Sequence, residues 1–258
     1  MLGLHVSKRL RFLAVSGTLA GLLAFISLSP YAGGIAFLFF PPLVALFLAY
    51  LVLGRPGGIE SITLLLLPTA LTLGAALSQF FFPNLHFLIK LGGWIFFGIV
   101  FYVLLLTVNI FRVERLKREK ILLERAARPT VFFLFFLTAF LLLTSFYKLE
   151  LGVLWGPPGV FLIGFLLALN FFWFLTLSDL FERRFFLGAA VVGGGLVQVS
   201  LAFSFLPWEV FLRGLAEGVF FYAILGVARA YFERHLRYQV VFEYILLSLV
   251  VFLFTRAF

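Results

Sequence analysis

The sequence has no cysteine, a single aspartate (Asp179) and three widely separated histidines, His5, His86 and His235. Without cysteine there are no disulfides, thiolate metal sites or cysteine nucleophiles. One aspartate excludes an intramembrane aspartyl dyad and the multi-aspartate sites of alcohol phosphotransferases. No histidine falls inside an apolar run, which argues against a rhomboid-type Ser–His pair and against transmembrane haem ligation. No lysine lies in the middle of such a run, so a retinal Schiff base is excluded. There is neither a P-loop nor a dinucleotide fingerprint. No catalytic residue, metal site or cofactor is therefore expected.

Charge is also scarce, at 12% of residues against about 25% in soluble domains. What fills the chain is apolar: 64% of its 258 residues are hydrophobic and 38 are phenylalanine. Mean hydropathy is +1.16. These values exclude a soluble enzyme, a disordered chain and a disulfide-stapled secreted module. The formal net charge of +9 could suggest nucleic acid. The basic residues sit instead at the ends of apolar runs, where membrane topology needs them, so no nucleic-acid partner is expected.

A helix needs about 20 apolar residues to cross a hydrocarbon core of about 30 Å. Nine runs qualify, at roughly 12–29, 35–53, 61–82, 91–111, 129–147, 159–178, 185–206, 208–228 and 240–255. The expected fold is all-α: a polytopic transmembrane helix bundle forming one integral membrane domain over 1–258. With the amino terminus inside, sixteen of the twenty lysines and arginines fall on the cytoplasmic side. Only Lys90, Lys148 and Arg256 face out, and Arg213 lies within a span. That asymmetry over short loops sets the amino terminus inside and the carboxyl terminus outside, in the cytoplasmic (inner) membrane of a prokaryote. Lys8, Arg9 and Arg11 ahead of the first run also resemble the start of a signal peptide. The Gly17–Gly21 GxxxG pair within that run favours a packed membrane helix instead.

The longest connection, 112–128, is basic. It is expected to extend the fourth helix past the membrane or to lie along the inner surface. In one reading the run is a solvated, topology-fixing charge cluster. In the sharper reading, Arg112, Arg115, Lys117, Arg118 and Lys120 dock anionic lipid head groups or an acidic partner. An internal echo relates 98–105 to 218–225, as a parallel repeat of four helices plus a ninth would produce. The Gly193–Gly195 run permits either a close helix approach or a local break. Trp155-Gly-Pro-Pro-Gly159 reads as an outer turn before the sixth span, with Trp155 and Trp208 as interface anchors.

Charged groups within hydrocarbon cost about 2.5–3.5 kcal/mol on insertion scales, so each marks a candidate site. Glu209, Arg213 and Glu217, spaced i, i+4 and i+8, share a face of the eighth helix. They form either an ion-paired structural stripe or a polar site for a proton, cation or lipid head group. Glu243 reads as an interfacial ion pair with Arg237 or Arg229. Asn170 and Gln198 are expected to hydrogen-bond between helices.

Two resemblances accompany these residues. Glu209-x-x-x-Arg213-Gly is similar to the Glu-Glu-x-x-x-Arg signature of CAAX-type intramembrane proteases. Trp208 stands where that family has its basic Glu, and the later histidine motifs are missing, so the resemblance implies no activity here. The stretch from Asn109-Ile-Phe-Arg-Val through Arg125-Ala-Ala, then Phe221-Tyr-Ala-Ile-Leu-Gly and Glu243-Tyr, resembles an uncharacterised family of polytopic membrane proteins from candidate-phyla bacteria. It implies a bacterial inner-membrane protein and no mechanism. On function, the sequence favours a non-enzymatic membrane subunit or scaffold of an envelope-associated assembly, with membrane lipids and other membrane subunits as partners. The alternative is a small transporter or lipid-handling protein using a buried Arg213/Glu217 site.

Overall fold

A computed structural model describes residues 7–29, 35–81, 85–117, 124–178 and 182–257. Among these residues there are nine α-helices and no strands. Hydrocarbon offers the backbone no hydrogen-bond partners, and a helix satisfies its own amides and carbonyls internally. Eight of the helices are long and apolar enough to cross a membrane, and Leu38–Val52 is a shorter apolar helix. The chain is a polytopic integral membrane protein, folded into two compact units that meet in sequence at Val131/Phe132.

The first unit holds α1 (Lys8–Leu28), α2 (Ile35–Val52), α3 (Ile59–Phe81) and α4 (Phe87–Lys117). The Ser7 hydroxyl caps α1 by accepting from the Leu10 amide at 3.4 Å, satisfying an otherwise orphaned donor. Phe12, Val15, Ser16, Leu19 and Leu23 are buried on α1, at the spacing of one helix face. The glycines of the GxxxG pair do not line this contact: a Cβ at Gly17 or Gly21 would meet nothing within 4 Å. The close approach is made by Ser16 and Ala20, against Gly98 of α4, where a Cβ would lie 3.4 Å from that of Ala20. Small residues do bring these helices together, one position away from the motif. With its amide turned to suit both neighbours, Gln79 of α3 donates to the Leu23 carbonyl (3.1 Å) and accepts from the Trp94 indole (3.2 Å). At the far end, Glu60 in the first turn of α3 accepts from Arg112 Nε at 3.0 Å and faces Arg115 at 3.5 Å. Arg112 also donates to the Gly54 carbonyl at 3.0 Å. The fourth helix thus continues past its apolar run to Lys117, tied to the α2–α3 turn.

The second unit takes up α5 (Glu124–Tyr147) from Phe132 and adds α6 (Gly152–Thr176), α7 (Arg183–Phe203), α8 (Val210–Phe232) and α9 (Tyr238–Ala257). Its core is aromatic: Phe132, Phe135, Phe171, Phe172, Phe174 and Phe185 are all buried. Their rings meet edge-on or tilted, as Phe135 meets Phe171 at 5.4 Å and 83°, the arrangement ring quadrupoles prefer. The Gly193–Gly195 run does not break α7. A Cβ at Gly193 would lie 3.0 Å from the Phe161 carbonyl, and one at Gly164 3.2 Å from Gly193 Cα, so backbone approaches backbone between α6 and α7. The expected outer turn at Trp155–Gly159 is instead helical, within α6. Pro157 and Pro158 lie in its second turn, where the carbonyls they leave unbonded are near the helix end. In each unit the second and third helices pair, α2 with α3 and α6 with α7.

Candidate functional site

Two features of the second unit have the chemistry of a site. The first is a polar knot. Arg213 and Glu217, one turn apart in α8, form an ion pair with Nε–Oε1 at 3.0 Å. Glu217 is 0% exposed and Arg213 22%. Two residues from other helices complete the knot. Tyr147, the last residue of α5, donates its hydroxyl to Glu217 and lies 2.7 Å from the Ser200 hydroxyl of α7. Its ring carries the Arg213 guanidinium at 4.0 Å from the centroid, a cation–π contact in a desolvated setting. Arg213 Nη2 donates to the Ser200 carbonyl at 3.0 Å and faces its hydroxyl at 3.3 Å. Beside them Gly214 presses on Thr144 so closely that any Cβ would collide with its hydroxyl and Cα.

Both carboxylate oxygens of Glu217 are engaged, and Arg213 is held by three groups. The knot joins α5, α7 and α8. Buried pairs of this kind persist only where hydrogen bonds satisfy both partners. Tyr147 and Ser200 were not singled out by the sequence. A tyrosine closing an apolar run beside Lys148 is the one hint it contains.

The remaining sequence candidates disperse. Glu209 is the N-cap residue of α8 and exposed, with no side-chain capping bond. Glu243 is exposed on α9 and forms no ion pair with a described residue, because Arg229 is bound by Glu233 at 3.1 Å. Gln198 points outward from α7. Asn170 is buried in α6 with neither amide atom hydrogen-bonded among the described residues. Of the basic connector, Arg112 and Arg115 belong to the Glu60 cluster; the Lys117 side chain, Arg118 and Lys120 lie outside the described residues. No group of three His, Cys, Asp or Glu side chains able to hold a metal occurs among the described residues.

The second feature is a cavity of about 1300 Å³ between α7, α8 and α9. Its walls are apolar: Leu187, Val191 and Val199 from α7, Ile224 and Val227 from α8, Leu249 from α9. The polar side chains on the wall are few, and the Ser248 hydroxyl is turned to the Tyr244 carbonyl at 2.9 Å. One end is basic, with Arg184 and Arg234 among the lining residues. The opposite end is lined by Phe203, Phe220 and Phe252, with Trp208 edge-on to Phe203 at 4.7 Å and tilted against Phe252 at 5.5 Å. α9 packs chiefly on α8, through Gly226, whose missing side chain admits the Tyr244 ring. It is the least covered span, with 11% of its residues buried against 50% of α8's.

Compared with known proteins, residues 18–258 match the family of proteins of unknown function DUF5656, and the chain belongs to that family. No curated protein and no solved structure matches it.

Proposed function

We propose that this family member is a lipid-handling protein of a prokaryotic cytoplasmic membrane, holding an apolar chain in the groove between α7, α8 and α9. The observation that carries the reading is the groove itself. Ligand pockets for drug-sized molecules span about 300–1,000 Å³ and combine apolar walls with a few placed polar groups. This one is larger, at about 1300 Å³, and confines its charge to one end. The amino terminus lies inside and the carboxyl terminus outside, as the lysine and arginine distribution favours. The basic end of the groove, at the start of α7 and the end of α8, then faces the cytoplasm. Function moves from the Arg213/Glu217 pair to the groove, because every described partner of that pair belongs to the knot.

The test is purification in mild detergent followed by mass spectrometry of what co-elutes, for the native chain and for Ala228→Trp, which fills the groove from α8. Retained lipid in the first and its loss in the second is the expected result. A second reading, a subunit of a membrane assembly, is favoured by the basic 112–128 connector. A stoichiometric protein partner with no retained lipid would establish it and overturn the first.

A further inference from the structure

We propose that the occupant of the groove is a long-chain isoprenyl phosphate, its phosphate between Arg184 and Arg234 and its chain running toward the Phe203–Phe252 end. This rests on the lipid-handling reading and names the class of lipid. Three observations carry it: length, charge and the aromatic lining of the far end.

Length comes first. Along α7 the lining extends from Arg184 to Phe203, about 28 Å at about 1.5 Å per residue. Along α8 it extends from Phe220 to Phe232, about 18 Å on the same rise. Half of a hydrocarbon core is about 15 Å, the depth an acyl chain of an ordinary phospholipid reaches from its head group. A groove that starts at one interface and passes the midplane suits a chain longer than that. The Ser248 hydroxyl on its wall is already bonded to the Tyr244 carbonyl. The aromatic cluster of Phe203, Phe252 and Trp208 gives the distal chain a flat-sided, apolar end to pack on.

Charge selects the head group. Arg234 has no acidic partner among the described residues, and its φ of 55° lies at the turn that ends α8. Arg184 is bound to Glu182 at 2.6 Å, both well exposed, where an ion pair is weak and readily exchanged. Arg183, Arg229 and Arg237 lie near in sequence, so that with Arg184 and Arg234 five arginines stand against Asp179, Glu182, Glu233 and Glu243. This end is therefore net positive. Guanidinium forks match phosphate oxygens in pairs, and a terminal phosphate monoester carries more charge than the diester of a phospholipid. Two arginines at the mouth of an otherwise uncharged slot favour the monoester.

The full chain, in detergent, is titrated by native mass spectrometry with four probes: undecaprenyl phosphate, undecaprenol, farnesyl phosphate and dioleoyl phosphatidylglycerol. Undecaprenyl phosphate is expected to bind one to one and at least about tenfold more tightly than each of the others, the size of one charge-assisted contact pair. Arg184→Gln with Arg234→Gln is expected to erase the preference over undecaprenol while leaving thermal stability unchanged, since both side chains are at the surface. Equal binding of phosphatidylglycerol, or indifference to chain length or phosphate on the native chain, overturns the isoprenyl phosphate and leaves the lipid-handling reading standing. Absence of one-to-one binding by all four, with no effect of Ala228→Trp, overturns both. Should the double variant fail to fold, the four-probe series on the native chain still decides.

Discussion

At the scale of single residues, the most consequential contact is the one between Glu217 and its surroundings. Glu217→Gln leaves the Arg213 guanidinium without a counter-charge and is expected to cost about 3 kcal/mol, the low end for breaking a buried pair because Arg213 retains some exposure. Thermal unfolding in detergent measures it. Replacing both members together, Glu217→Gln with Arg213→Met, is expected to recover most of that loss, since no uncompensated charge is left behind. Tyr147→Phe removes two hydrogen bonds and keeps the ring beneath Arg213, so it is expected to cost about 2 kcal/mol, the range for a hydrogen bond to a charged group. A larger loss for Tyr147→Phe than for Glu217→Gln would contradict this ordering. The Arg213–Glu217 half of the knot is legible in the sequence, because two charges one turn apart in an apolar run have few other solutions. Tyr147 and Ser200 are not, since Tyr147 lies 70 residues from Glu217 and only tertiary packing joins them. Glu209 shares the spacing of the pair and Glu243 reads as an interfacial ion pair, yet both are exposed near helix ends and neither forms an ion pair among the described residues.

At the scale of elements, helix boundaries and close contacts diverge from the sequence in instructive ways. The GxxxG pair of α1 predicts a packing face, and the face is real but displaced to Ser16 and Ala20. A pattern of small residues shows that an approach is allowed; which neighbour arrives is set by the partner helix, here by Gly98. Gly17→Ala and Gly21→Ala are accordingly expected to be neutral or stabilising by up to about 1 kcal/mol, through helix propensity. Gly98→Leu is expected to cost about 1–3 kcal/mol by overpacking. Comparing the three melting curves tests the assignment of the face. On α8, Gly226→Leu drives a side chain into the Tyr244 ring and is expected to cost a similar amount while loosening α9. Faster proteolysis between α8 and α9, relative to the native chain, is the readout. Pro157 and Pro158 read as a turn because proline removes helical hydrogen bonds; α6 accommodates them near its end, where the losses are smallest.

At the scale of the whole molecule, the lengths of the apolar runs made legible the helical class and the nine helices found among the described residues, since each run has to hide its backbone from lipid. The division into two compact units was not, because it depends on which faces meet and not on how many runs there are. The positive-inside asymmetry makes a further expectation concrete. A reporter active only outside the cytoplasm should be active when fused after Phe258 and silent when inserted within 112–128; the reverse pattern would invert the topology. The four tryptophans have four different surroundings: Trp94 beside the Gln79 amide, Trp155 exposed, Trp173 buried with its indole donating to the Ser178 carbonyl, and Trp208 against Phe203 and Phe252. Converting the first three to Phe would leave a single fluorophore at the aromatic end of the groove. Its emission would then act as an optical gauge of how far along that slot a bound chain reaches, and brominated chains of graded length would dim it only once they are long enough to arrive.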